Sequence, residues 1–340
     1  MFEGLNLLVI KYSSLGDVIN AVPAVRLLKR NCPESRIYWL LNREYEGLLS
    51  GARYIDEIVV YGGRGLGATL DVVRKIRSLR IDVVIDLQGL FKSGLIGYLS
   101  GARERVCFPY TREFSSIFYT RRLGLERGSG VHAVVENASV VEELVDGRAG
   151  ATYEFDLPVD EAAVERAGCM VRDGTGGDGP LVVISPTSRW ATKRWGAERF
   201  ARLGDLLAGD GGARVVFTGA AGDLDYIEGI REGMKTPALN LAGKTDIKTL
   251  VAVLKAADLV VSCDSGPMHI ASAVGTPVVA IFGPTDPGYT GPFGGRSVVI
   301  TSGAECAPCR RRRCEDMRCM KDIRVEDVYE KVVRSLEGHE

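Results

Sequence analysis

The sequence is short of net charge, of long apolar runs and of any leader-like start. With 43 Lys and Arg against 44 Asp and Glu, the formal net charge is −1. The chain therefore has no bulk attraction for nucleic acid, and only a local basic patch would supply one. No apolar run approaches the ~20 residues that span a bilayer, and residues 1–10 carry neither a basic n-region nor a cleavage site. A cytoplasmic protein is the expectation. Neither half offers a Gly-x-Gly-x-x-Gly turn followed by an acidic residue at the expected distance, which argues against a dehydrogenase. Of the 8 cysteines, Cys32, Cys107, Cys169 and Cys263 are scattered through segments that read as core, helix end or linker, where a thiol fills space. What is there in quantity is ordinary: 46% hydrophobic and 26% charged residues over 340 positions, the composition of a soluble globular protein with room for two domains.

The most informative stretch is 258–284, DLVVSCDSGPMHIASAVGTPVVAIFGP. Residues 258–263 are a short β-branched run, Asp264, Ser265 and Gly266 supply turn residues, and Pro267 suits a first helical turn, where a missing N–H costs nothing. A helix beginning there aims its unpaired N–H groups and positive dipole end past the strand's carboxyl edge, at an anion. His269 falls in its first turn. Gly275-Thr276-Pro277 stops the helix before a second apolar strand. An ordinary strand–helix–strand unit with a satisfied histidine is the competing reading.

The same grammar runs through the rest of the chain. A strand at 5–10 feeds a polar loop, Lys11 to Asp17, ahead of a helix; Asp17 reads either as a helix cap or as a general base at the mouth of a cleft. Further strands at 36–41, 57–61 and 82–87 alternate with helical segments, which argues for a parallel, doubly wound sheet. Past the last of these, Gln88, Lys92 and Ser93 cluster at a strand end, followed by Arg103, Arg105, Arg112, Arg121 and Arg122. These either suit an acidic acceptor or form a solvated surface. Residues 168–180, GCMVRDGTGGDGP, read as a linker. The second half restarts the pattern at 181–185. Thr187, Ser188 and Lys193 in its first loop suit a diphosphate, hydroxyls donating and the ammonium supplying a point charge; a capped helix with an exposed lysine is the alternative. Near the end, Cys306, Cys309, Cys314 and Cys319 have spacing compatible with a closed zinc site, with redox chemistry as the competing reading, although oxidised pairs are not expected in cytoplasm. Arg310 to Arg313 between them read as a solvated loop or as a dock for a phosphorylated acceptor or anionic lipid headgroups. Residues 325–336 have helical periodicity.

Taken together, KYSSLGDV (11–18), DLQGLFKSG (86–94), PTSRWATKRW (186–195) and DSGPMH (264–269) resemble glycosyltransferase family 9, in order and over nearly the whole chain. Within it the resemblance is to the lipopolysaccharide heptosyltransferases, and most to heptosyltransferase I. The resemblance implies an α/β GT-B fold: two Rossmann-like doubly wound domains facing a central cleft. The first would span 1–167 and bind acceptor, with the linker at 168–180. The second would span 181–322 and bind donor, with a helix at 323–340 returning to the first domain. It implies inverting, metal-independent transfer of a heptose from ADP-heptose to a Kdo or heptose of the lipopolysaccharide inner core, without a cofactor. Asp17 matches the base. Thr187, Ser188 and Lys193 match donor-phosphate contacts, Asp264, Ser265, Gly266 and His269 the donor motif, and Thr245 the adenine side. Ser13, Ser14, Gly16, Gln88 and Lys92 match the acceptor side. Ser265 stands where the family has Thr, and Ala221 where it has a ribose-binding acid, which leaves Asp223 as the candidate for that role. The expected partners are the ADP-sugar and a lipid-linked core, with peripheral contact at the inner face of the inner membrane, no nucleic acid, and a monomer. A nucleotide-sugar epimerase and a non-catalytic nucleotide-sugar-binding module are the rival readings.

Overall fold

The computed structural model describes residues 4–63, 65–126, 130–146 and 152–338. Residues 1–3 and 339–340, the outer ends of the first and last segments read from the sequence, lie outside them. The chain divides into two units, one ending at Pro158 and the other beginning at Val159.

The first unit is built on six parallel strands, β1 (Asn6–Ile10), β2 (Arg36–Asn42), β3 (Glu57–Tyr61), β4 (Val83–Asp86), β5 (Glu104–Cys107) and β6 (Arg121–Arg122). Their order is β3-β2-β1-β4-β5-β6. Leu8 pairs with Tyr38 on one side and Val84 on the other. Leu7 to Ile10 are all buried, as a strand covered on both faces requires. The helix Phe91–Leu99 brings Ile96 to the core of Leu8, Ile10, Leu40 and Val84. The helix Ala133–Leu144 packs on the helix Leu15–Asn31. There the buried Asn137 donates from Nδ2 to the Asn20 carbonyl at 3.2 Å.

The second unit repeats the plan with β7 (Leu181–Ser185), β8 (Arg214–Phe217), β9 (Leu239–Asn240), β10 (Leu259–Cys263), β11 (Val278–Ile281) and β12 (Ser297–Ile300), ordered β12-β11-β10-β7-β8-β9. Both sheets therefore reverse direction once, between β1 and β4 and between β7 and β10. At such a reversal the loops leaving the two strands diverge to opposite faces and open a crevice at the carboxyl edge.

Two boundaries differ from the sequence reading. Residues 168–175 are not linker but the second half of the helix Glu161–Thr175. Asp160 caps that helix by accepting from Ala163 N at 2.9 Å, and Ala163, Ala167 and Val171 form a buried stripe facing the helix Ile247–Ala256. Its glycines misled: a Cβ on Gly174 would stand 2.5 Å from a Leu239 methyl, so glycine is there for close approach to β9 rather than for flexibility. The C-terminal helix, Val325–Leu336, was expected on the first domain. Its buried Val325, Val328 and Val332 instead join the core of the second unit with Phe200, Leu203 and Ile281. The adjoining segment is pinned by Trp195, whose Nε1 donates to the Ile323 carbonyl at 3.0 Å.

Because Val328 is fully buried in that core, Val328→Ala is expected to cost about 2 kcal/mol of stability, read as a lowered urea midpoint at unchanged slope.

Candidate active site

At the carboxyl edge of the first sheet, the loop after β1 is held against the loop after β4. Lys11 Nζ donates to the Leu87 carbonyl, Trp39 Nε1 to the Lys11 carbonyl at 3.2 Å, and Ser13 N to Gln88 Oε1 at 3.3 Å. Ser14 is the N-cap of the helix Leu15–Asn31, and Asp17 is its third residue. Ser14 N and Oγ both donate to Asp17 Oδ2, at 3.0 and 2.6 Å. Asp17 thus closes a capping box rather than serving as the N-cap itself, and its side chain stands exposed at the edge. Gly16 lies in the same turn.

Gln88 owes its position to Asp86, which ends β4 fully buried and accepts from Gln88 N at 2.8 Å, Gly89 N at 3.0 Å and Tyr119 Oη at 2.7 Å. Burial pushes the Asp86 carboxyl above its ordinary value, and these donors pull it part of the way back. Lys92 is half-buried: its Nζ stands 4.2 Å from the centre of the Tyr61 ring, which in turn lies 6.0 Å from the ring of Tyr12. Burial raises the Tyr61 hydroxyl, but the hydrogen bonds with Lys92 and Thr69 and the lysine charge outweigh it and leave the group below its ordinary value.

At the carboxyl edge of the second sheet the predicted donor residues converge. Lys193 Nζ donates to Asp264 Oδ2 at 2.6 Å, Ser188 Oγ to the Asp264 carbonyl at 2.9 Å, and Thr187 Oγ1 to Asp223 Oδ2 at 3.0 Å. Asp264 is 6% exposed, so the paired ammonium offsets the cost of its burial. Ser265 is the N-cap of the helix Gly266–Ala273, yet its side chain does not cap that helix; its Oγ lies 3.2 Å from Ser262 Oγ instead. His269 is buried in the first turn. Thr245 sits in the loop after β9, which touches the Asp223 loop through Gly243 N and the Gly219 carbonyl, 3.0 Å apart. A Cβ on Gly243, whose φ is +69°, would meet the Ala221 Cα at 2.9 Å, so glycine allows this contact.

The comparisons with known proteins bear on this arrangement. The model of glycosyltransferase family 9 (heptosyltransferase) matches residues 69–319. The chain is 29% identical to lipopolysaccharide heptosyltransferase 3 of Escherichia coli, over 92% of this chain and 93% of that protein. It is 26% identical to lipopolysaccharide heptosyltransferase 1 of Pseudomonas aeruginosa, over 95% and 91%. Its fold superposes on the family 9 glycosyltransferase of Veillonella parvula with a TM-score of 0.87 at 23% identity, covering 99% and 98% of the two chains. For Escherichia coli heptosyltransferase WaaC with ADP the values are 0.73, 21%, 97% and 100%. The chain belongs to glycosyltransferase family 9. It is a glycosyltransferase of GT-B architecture, and the epimerase and non-catalytic readings fall away.

Several residues of this family 9 enzyme escaped the sequence reading. Thr285, after β11, donates from Oγ1 to Asp264 Oδ2 at 2.6 Å, and Arg194 Nη2 reaches Asp223 Oδ1 at 3.4 Å. Trp190 carries two cations, Lys193 Nζ and Arg312 Cζ, each 4.7 Å from its ring centre. Thr192 Oγ1 donates to the Arg311 carbonyl at 2.9 Å. The arginine run 310–313 is exposed at all four positions, as the solvated-loop reading has it, and is tied to the Lys193 loop through the Arg311 carbonyl and the Arg312 guanidinium. Only the density of positive charge in RRRR hinted at an anion site, and nothing in the sequence said which loop it meets.

Among the described residues no group of three or more His, Cys, Asp or Glu is placed to hold a metal ion. Cys306 is exposed and Cys319 buried, and Cys319 Sγ lies 3.2 Å from where a Cβ on Gly283 would stand. Cys314 Sγ instead accepts from Met317 N at 3.4 Å. Burial and the three neighbouring thiols raise the Cys319 thiol above its ordinary value.

The elevated Asp86 carboxyl has a pH signature. A carboxyl whose folded pKa lies above its unfolded one contributes stability below the ordinary range, near 3.8, and loses it as pH rises through the folded value. The stability of the natural protein relative to Asp86→Asn is therefore expected to fall as pH is raised across that window. Urea titrations at a series of pH values read this directly, and a pH-independent difference would contradict it.

Proposed function

We propose that the chain transfers a heptose from ADP-heptose to a Kdo or heptose of the lipopolysaccharide inner core, with inversion and without a metal ion. The observation that carries this reading is the Lys193–Asp264 ion pair at 2.6 Å, beside Ser188 and the helix N-terminus at Ser265. This is a charged, partly buried cradle at the reversal point of a nucleotide-binding sheet. Relatives of similar length named as lipopolysaccharide heptosyltransferases, and an ADP complex of the WaaC relative, support the choice of donor and acceptor.

In this reading Thr187, Ser188, Lys193, the Ser265-Gly266 turn and His269 hold the diphosphate, Asp264 orients Lys193, Asp223 meets the ribose and Thr245 the adenine. Ser13, Ser14, Gly16, Gln88 and Lys92 hold the acceptor. Asp17 takes the proton of the acceptor hydroxyl while that oxygen attacks the anomeric carbon from the face opposite the diphosphate. The anomeric C–O bond breaks, and its electron pair leaves with ADP. The growing negative charge is met by the Lys193 ammonium, the hydroxyls and the helix N–H groups, with the Arg312 guanidinium nearby, a set of positive groups equal to the task often given to a divalent cation. The enzyme works as a monomer in the cytoplasm, peripherally at the inner face of the inner membrane where a lipid-linked acceptor lies. No helix among the described residues is long and apolar enough to cross a membrane.

A panel of ADP-, GDP- and UDP-sugars against truncated lipopolysaccharide cores, read by mass spectrometry, tests the reading; transfer of a heptose from ADP-heptose alone is expected. Asp17→Ala is expected to lower turnover at least ~100-fold with donor affinity nearly intact, and near-normal turnover would remove Asp17 as the base. Lys193→Ala is expected to weaken ADP-heptose binding about ten- to hundred-fold, and calorimetry showing unchanged affinity would exclude the phosphate contact.

A further inference from the structure

On the first unit, the segment after β5 leaves a set of large apolar side chains uncovered. Phe114 is 89% exposed, Ile117 73%, Tyr98 54% and Phe91 42%. They form one surface: the rings of Phe91 and Tyr98 lie 5.1 and 5.9 Å from that of Phe118. Ile117 and Phe118 share the 3-10 turn Ser115–Phe118, which Phe114 precedes. The loop is anchored from below. Arg112 N donates to the Gly89 carbonyl at 3.2 Å and Ser115 N to the Arg112 carbonyl at 3.0 Å, while Phe91 N donates to Glu113 Oε2 at 3.2 Å. Glu113 and Phe114 both sit in the left-handed region, φ +57° and +59°, where a bulky L-residue is strained. The backbone thus spends conformational energy to hold a phenylalanine out in water.

The charge around this tip is one-sided. Residues 103–122 carry Arg103, Arg105, Arg112, Arg121 and Arg122 against Glu104 and Glu113, in a chain whose overall charge is −1. Arg121 is paired with Glu104 at 2.6 Å, and the Arg105 guanidinium lies 5.5 Å from the Tyr98 ring. Among the described residues no ion pair engages Arg103, Arg112 or Arg122. Exposed aromatics rimmed by arginines combine the two terms of interfacial binding: apolar side chains entering the boundary between headgroups and acyl chains, and guanidinium groups on lipid phosphates. A two-fold contact with a second copy would set this basic rim against itself.

We infer that this face docks on an anionic phospholipid surface, with Phe114 and Ile117 inserted at headgroup depth and Arg112 on the phosphates. The inference rests on the reading that the enzyme works at a membrane and supplies the surface by which it does so.

The test is flotation of the full chain with vesicles of phosphatidylcholine alone and of phosphatidylcholine mixed with phosphatidylglycerol. Binding to the mixed vesicles, weakened by salt, is expected. The double variant Phe114→Asp, Ile117→Asp is expected to lose at least ~10-fold in partitioning while keeping its melting temperature and its turnover on a delipidated acceptor in solution; Arg112→Gln is expected to lose about five-fold. Flotation of the double variant at the natural level, or equal binding to neutral and mixed vesicles, overturns the assignment. So does a dimer in sedimentation velocity that the same double substitution dissolves, since a second copy would then own the surface. If the natural protein floats as expected but transfers no heptose from any donor, the docking surface stands and the reading of the reaction fails.

Discussion

Parallel pairing is the constraint on which this molecule depends. In a parallel sheet every strand delivers its following loop to the same edge, so β1 beside β4, and β7 beside β10, bring together segments far apart in the chain. The strand order reverses at those two pairs, the point at which sheets of this kind place their ligands. Ser13 meets Gln88, 75 residues away; Lys193 meets Asp264, 71 residues away. Each meeting follows from the buried valine and isoleucine runs that set the register, and neither requires any special property of the loops themselves.

On the second edge, one buried carboxylate organises the rest. Asp264, only 6% exposed, accepts from Lys193 and Thr285, as a buried polar group requires. This fixes the ammonium at the end of the sheet, beside a helix whose N-cap side chain leaves its first turn uncapped. Trp190 then gathers Lys193 and Arg312 on one indole, drawing the cationic tail run into the same place. Positive charge on this edge is thus assembled from two loops more than a hundred residues apart and held by one acid and one aromatic ring.

The first edge uses a carboxylate in the opposite way. Asp86 is sealed off, and its hydrogen bonds shape the loop that carries Gln88 and leads into the helix of Lys92. Asp17 is left at the surface, oriented by Ser14 but not enclosed. A capping residue and an oriented carboxylate at a sheet edge are the same object seen for stability and for chemistry. The capping box leaves Asp17 exposed at the edge of the first sheet, and the Ser14 donors restrict its rotamers.

The sequence by itself determined the local grammar. The stretch 258–284 reads as strand, turn, helix and strand, and folds as Leu259–Cys263, Gly266–Ala273 and Val278–Ile281, because β-branched runs, a first-turn proline and a stopping Gly-Thr-Pro act within a few residues of themselves. The four family motifs were legible for the same reason. Where the reading failed, the missing information was tertiary. Residues 168–175 look like linker until the helix Glu161–Thr175 sets Gly174 against Leu239. The valine stripe of Val325–Leu336 announces a buried face but not whose core buries it. Cysteine spacing permits a metal site, yet burial turns Cys319 inward while Cys306 stays exposed. The run at 310–313 announces positive charge, but only the folded chain brings it to Trp190. Periodicity and turn chemistry are short-range and can be read along the chain; which surfaces meet depends on packing between distant segments, and that was decided only in the folded units.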